Sequence, residues 1–125
     1  MLVAQFPRLS ESCYIQIKGR NVLETWSSAP VSFTSNPVSY NFSTSASQTY
    51  GNNVWPAGTM YTLYNGELNQ DGNIDLLDAT LLENDMNSFQ SGYHATDLNG
   101  DGNTDLLDSP VLEWNMSQFI YSMHP

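Results

Sequence analysis

Apolar and polar residues alternate over residues 13–18, with Cys13, Ile15 and Ile17 on one side and Tyr14, Gln16 and Lys18 on the other. Period two predicts a strand that buries one face and makes Cys13 a small buried strand residue. Gly19-Arg20-Asn21 reads as a turn, and residues 22–26 return as the second arm of a hairpin. Residues 3–6 form a further candidate strand, ended by Pro7. Residues 31–34 form another, followed by an Asn36-Pro37 turn. Over residues 38–43, Val38, Tyr40 and Phe42 alternate against Ser39, Asn41 and Ser43. Residues 43–53 are small and polar and, with Pro56 and Gly58 beyond them, predict a long loop carrying Trp55. The last candidate strand, residues 60–64, runs straight on through Asn65-Gly66 with no linker, so the two halves of the chain are expected to pack together.

Beyond residue 66 the pattern changes and repeats. Glu67-Leu-Asn-Gln-Asp-Gly-Asn-Ile-Asp-Leu-Leu-Asp78 recurs as Asp97-Leu-Asn-Gly-Asp-Gly-Asn-Thr-Asp-Leu-Leu-Asp108, thirty residues later. Leu82, Glu83, Met86 and Phe89 recur at the same offset as Leu112, Glu113, Met116 and Phe119. The unit is therefore a duplicated loop plus helix. In the first copy Asp75 caps the helix with Asp78 at N3, Leu77, Leu81 and Leu82 make the apolar stripe, and the helix stops near Asn87. In the second copy Pro110 replaces Thr80 and would clash in the second turn of a helix begun at Leu106. The second helix is expected to start late, with Ser109 as cap and Pro110 at N1.

Each loop carries oxygen-bearing residues at positions 1, 3, 5, 9 and 12 of twelve, with glycine at position 6. A hard dication needs six to eight oxygens, and this spacing around a tight turn supplies them. The candidate calcium ligands are Glu67, Asn69, Asp71, Asn73, Asp75 and Asp78 in one loop. In the other they are Asp97, Asn99, Asp101, Asn103, Asp105 and Asp108, with Asn73 and Asn103 lending backbone carbonyls. Two Ca2+ sites are expected. Gly72 and Gly102 allow the sharp turn that a Cβ would hinder. Glu67 makes the first site the weaker, since its extra methylene must fit a loop shaped for Asp.

Two loops that end in Asp, each followed by one short helix, resemble a type I dockerin. The family's core, D-x-N-x-D-G-x-x-[DN]-x-x-D, matches the whole second loop and departs in the first only at Glu67. The resemblance covers about residues 65–120. It implies a calcium-folded, non-catalytic module of a secreted bacterial protein that docks onto a cohesin-like partner. The first half, notably residues 14–27, resembles the β-sandwich segment that precedes dockerin-like repeats in some large secreted bacterial proteins. More strands usually come before that point, which implies an incomplete sandwich with an open edge near Val22 or Cys13. The expected fold is thus α+β: residues 1–65 a strand-rich, sandwich-like half, packed on a dockerin-like module of residues 66–125.

Composition narrows the function. Net charge is −10, and the three strong bases, Arg8, Lys18 and Arg20, all precede residue 66. Such a surface is unsuited to nucleic acid. No stretch approaches the roughly 20 apolar residues of a membrane span. Cys13 is the single cysteine, so no internal disulfide forms, and Met1 starts no recognisable signal peptide. Abundant Ser, Thr, Asn and Tyr with one lysine nevertheless suit an extracellular or cell-surface location, and the chain reads as the C-terminal part of a longer exported product. No catalytic set emerges: His94 and His124 stand alone, and the acids outside the repeats reduce to Glu11 and Glu24.

Docking is expected to use loop positions 10 and 11, Leu76, Leu77, Leu106 and Leu107. Leu77 and Leu107 are assigned to the buried stripes. Leu76 and Leu106 are left on two equivalent faces, one against the strand-rich half and one toward a partner. Two other functions fit the sequence. The chain could be a structural subunit of an extracellular fibre or surface layer, copies of itself supplying missing strands. Its aromatics, including Trp26, Trp55 and Trp114, could stack on carbohydrate as a calcium-dependent sugar-binding module. Asn41 and Asn115 each begin a glycosylation acceptor triplet.

Overall fold

In a computed structural model of the 125-residue chain, residues 11–34 and 37–125 are described. The expected strand at residues 3–6 and the residue Asn36 of the expected turn lie outside them. The remainder is a mixed α+β chain: β1 (Ser12–Cys13), β2 (Gln16–Ile17), β3 (Thr25–Trp26), β4 (Val31–Ser32), β5 (Trp55–Ala57), β6 (Met60–Thr62), α1 (Leu76–Asn87) and α2 (Ser109–Ser117).

The described strands form three separate two-stranded antiparallel ladders, β1 with β4, β2 with β3 and β5 with β6, rather than two stacked sheets. The run over residues 13–18 changes partner midway. Ser27 causes the break: its N–H donates to the Ile15 carbonyl (2.8 Å) and its hydroxyl accepts from the Ile15 N–H (3.0 Å). The expected return arm is present, with Gln16 opposite Trp26 and Ile17 opposite Thr25. Cys13 is exposed rather than buried, because β1 has β4 beside it and no apolar layer beneath it among the described residues. The edge near Val22 is also closed, bridged to Asn65.

No strand forms over residues 38–43. The Asn41 side-chain oxygen accepts from the Ser43 N–H (2.9 Å) and hydroxyl (2.7 Å), a local turn that competes with ladder pairing. Tyr40 instead donates its hydroxyl to the Gln48 carbonyl (2.6 Å). The predicted long loop contains two 3-10 turns, Ala46–Gln48 and Tyr50–Asn52, and Trp55 opens the β5–β6 hairpin.

α1 follows the expected limits and capping box, with Asp75 as N-cap, Asp78 at N3 and Asn87 last. α2 starts late, as Pro110 requires, although the cap is Asp108 and Pro110 lies within the first turn. Both helices end in a six-residue reverse hydrogen bond, Gln90 N–H to Asp85 O (3.0 Å) and Ile120 N–H to Asn115 O (3.3 Å). The residue that must turn left-handed there is normally glycine. Here it is Phe89 (φ 51°) and Phe119 (φ 53°).

The core is built from equivalent residues of the two repeats. Leu82 and Leu112 are buried, as are Leu98 and Ile74, and Leu68, Met86 and Met116 pack against them. Leu23 from the first half is fully buried in the same cluster. The expected stripe of α1 is narrower than its periodicity indicates: Leu82 is 2 % exposed, whereas Leu77 is 59 % and Leu81 39 % exposed. α1 turns Asp78, Ala79, Leu82 and Met86 toward the core, and Leu77 and Leu81 lie around the helix from that face.

The halves are joined by hydrogen bonds as well as by Leu23. Gly66 N–H donates to Asn21 O (2.8 Å), the Ser122 hydroxyl to Glu24 O (3.0 Å), and the Asn115 amide to Asn65 O (2.7 Å). Trp55 meets Tyr64 and Trp114 edge to face, with ring centroids 6.4 and 6.3 Å apart.

Candidate metal centre

Each loop is held by its own acids. Position 12 closes it: Asp78 Oδ1 accepts from the N–H groups of Leu68 (2.6 Å) and Asn69 (3.0 Å), and Oδ2 from that of Asp75 (2.9 Å). Asp108 makes the equivalent bonds to Leu98, Asn99 and Asp105 at 2.7, 3.0 and 2.9 Å. One carboxylate thus pins the start of the loop to the start of the helix.

Position 1 folds the loop's middle inward. Asp97 Oδ1 accepts from the Gly100 and Asp101 N–H groups and Oδ2 from Gly102. Glu67, one methylene longer, reaches the Asp71 (3.2 Å) and Gly72 (2.8 Å) N–H groups. Positions 3 and 5 repeat the same turn, with Asn69 oxygen accepting from Asp71 N–H and Asp71 from Asn73 N–H, both 2.9 Å. Asn99, Asp101 and Asn103 do likewise. Asp75 caps α1 by accepting from Leu77 N–H, and Asp105 makes the equivalent bond to Leu107 N–H in the turn before α2, each at 2.8 Å.

Gly72 (φ 94°) and Gly102 (φ 90°) take the positive φ expected at position 6. Position 4 was not anticipated: it is also left-handed, at Gln70 (φ 63°) and Gly100 (φ 80°). Gly100 carried that signal in the sequence.

Glu67, Asp78 and Asp108 are fully buried and Asp97 is 7 % exposed. The ion pair found among the described residues, Lys18–Glu24 at 3.6 Å, involves no loop residue. Burial pushes the Glu67 carboxyl above the ordinary glutamate range, against its bonds to loop N–H groups. Asp71 and Asp101 are held below the ordinary range, Asp71 chiefly by the Asn69 amide and Asp101 chiefly by the Asn103 N–H.

Among the described residues, no three His, Cys, Asp or Glu side chains stand together as a ready-made metal cluster. The acid oxygens are turned onto the backbone N–H groups just described. By kind, however, the donors are all oxygen, ordered around a turn, and paired in each loop with two buried carboxylates that meet no basic side chain among the described residues. That chemistry fits a hard dication such as calcium and excludes the nitrogen and thiolate sets of zinc.

Residues 65–115 match the family model of the type I dockerin domain. The C-terminal part of this chain is dockerin-like. Domains of this family bind calcium and serve as non-catalytic modules that dock onto cohesins, typically in extracellular or cell-surface proteins. No curated protein and no solved structure matches the chain. No helix among the described residues is long and apolar enough to cross a membrane.

The dockerin-like region presents its apolar residues in two equivalent sets. Leu76, Leu77, Leu106 and Leu107 are 73, 59, 77 and 67 % exposed. Among the described residues, none of the four leucines belongs to the buried core cluster. Phe89 and Phe119, 89 and 85 % exposed, add a strained aromatic to each repeat. Sequence periodicity marked these phenylalanines only as repeat positions.

Proposed function

We propose that this chain is a calcium-dependent extracellular docking module, with residues 66–125 as the docking unit and residues 1–65 as its structural companion. Calcium would be held in each loop by the side chains at positions 1, 3, 5, 9 and 12 and by the carbonyl at position 7. That means Glu67, Asn69, Asp71, Asn73, Asp75 and Asp78, then Asp97, Asn99, Asp101, Asn103, Asp105 and Asp108. The ion would supply positive charge to carboxylates that no side chain among the described residues neutralises. Asp78 and Asp108 tie each loop to its helix, so loop order is passed to the leucine pairs that begin or precede the helices.

One observation carries the reading: six large apolar side chains stay exposed at equivalent places in both repeats. A lone soluble domain gains nothing from them, and two are phenylalanines in a conformation that costs about 1 kcal/mol each. A cohesin-like partner that buries one set of three explains both the exposure and the strain.

The test is binding of the full chain to an immobilised cohesin module, in calcium and in chelator. Association is expected in calcium alone. Leu76→Asp and Leu106→Asp together should weaken it at least tenfold with the melting curve preserved. Loss of thermal stability with unchanged association would discard the docking surface.

A further inference from the structure

The two loops are tied together from outside, by a residue that bears no charge and lies in neither. Asn21 ends the turn before β3. Its carbonyl accepts from the N–H of Gly66, the residue immediately before loop 1 (2.8 Å). Its side-chain amide donates to the carbonyl of Ala95, two residues before loop 2 (3.1 Å). One residue of the first half thus holds the lead-in of both loops.

The neighbouring contacts make this a clasp rather than a passing touch. Val22 is bridged to Asn65, and Leu23 donates to Tyr64 O and is fully buried in the core of the repeats. The Arg20 guanidinium carbon lies 3.6 Å from the ring centroid of Tyr93, in the connector that leads to loop 2. A second tie runs in parallel. Asn65 donates its amide to Leu98 O at position 2 of loop 2 (3.0 Å), while its own carbonyl accepts from the Asn115 amide of α2 (2.7 Å).

We propose that Asn21 is a positioning residue that preorganises both calcium loops and couples them, so that binding in one loop raises the affinity of the other. The physical basis is entropic. A loop whose lead-in is fixed loses less freedom when its oxygens close on an ion, and a lead-in fixed through a shared residue is steadied further when the other loop is filled. The two arms are separable. The carbonyl arm to Gly66 belongs to the backbone and survives any side-chain change, whereas the amide arm to Ala95 is lost in Asn21→Ala.

The proposal rests on both loops binding calcium, and its test reads calcium binding rather than partner association. Calcium is titrated calorimetrically into the full chain, into a site 2 knockout (Asp101→Asn with Asp105→Asn) and into a site 1 knockout (Asp71→Asn with Asp75→Asn), each with and without Asn21→Ala. With loop 1 disabled, Asn21→Ala should weaken loop 2 by about 3- to 10-fold, the value of one hydrogen bond. With loop 2 disabled, it should leave loop 1 unchanged. With both loops intact, the coupling between sites should fall, and Asn65→Ala, which cuts the parallel tie, should lower it again.

A general loss of stability would weaken both loops alike and would overturn the assignment, as would unchanged affinity and coupling. Should Asn21→Ala fail to fold, Asn21→Ser, whose shorter side chain does not span the gap to the Ala95 carbonyl, replaces it; wild-type coupling in Asn21→Ser would likewise overturn the proposal. If the unaltered chain takes up no calcium, the calcium reading itself fails; if it takes up calcium and Asn21→Ala changes nothing, the clasp alone fails.

Discussion

Leu23→Ala tests most directly whether the first half is part of the dockerin-like fold. Leu23 lies in the strand-rich half, outside the residues matched by the family, yet it is fully buried against Ile74, Leu82, Leu98 and Leu112. Truncation removes three carbon groups, about 2.4 kcal/mol at roughly 0.8 kcal/mol each. The cavity between two helices locked by their loops collapses only in part, which brings the expected loss to about 3 kcal/mol. For a chain of this size about 3–5 °C is lost per kcal/mol, so the transition should fall by about 10–15 °C in saturating calcium. It is followed by far-ultraviolet circular dichroism, which reports the helices, and by tryptophan fluorescence, which reports the seam at Trp55 and Trp114. Both signals should shift together. A helix transition that moves by less than about 3 °C, or two transitions of which only one moves, would refute the claim that one core serves both halves.

Chelation should lower the thermal transition sharply: two sites of micromolar affinity in millimolar calcium contribute about 4 kcal/mol each, and an unchanged melt in chelator refutes this. Without calcium, the raised Glu67 pKa means that the folded state holds this proton more tightly than the unfolded chain. Its contribution to stability is therefore present in acid and lost as pH rises through the folded value. Glu67→Gln should remove that loss, melting higher than the parent in chelator at neutral pH but gaining less from calcium; equal melting of the two in chelator would count against it. Phe89→Gly and Phe119→Gly should each stabilise by up to about 1 kcal/mol, by relieving the left-handed strain at the helix ends. Cohesin binding should weaken at the same time, and a destabilised melt would show that the rings pack where the structure leaves them exposed.

What the sequence determined is what closes over short distances along the chain. The bonds of Asp78 and Asp108, the glycines at position 6, the capping box of α1 and the delayed start of α2 all link residues within about a dozen positions, where backbone geometry leaves few choices. Repetition at a fixed offset then told the loops apart from ordinary acidic turns. Periodicity was less dependable wherever burial depended on a neighbour. Leu77 lies roughly 140° around the helix from Leu82, and only the tertiary packing of α1 decides that the face with Asp78 and Leu82 is covered while Leu77 is left outside it. Alternation placed Cys13 inside a strand, and whether that strand has an apolar layer beneath it is a property of the whole fold. The strand predicted at residues 38–43 lost to a side-chain bond between Asn41 and Ser43, a competition that period two does not register. Asn21 and Leu23 were invisible as parts of the dockerin-like module because they lie more than forty residues before it. Their roles exist only once the chain has folded back and brought the turn at residue 21 against the lead-ins of both loops.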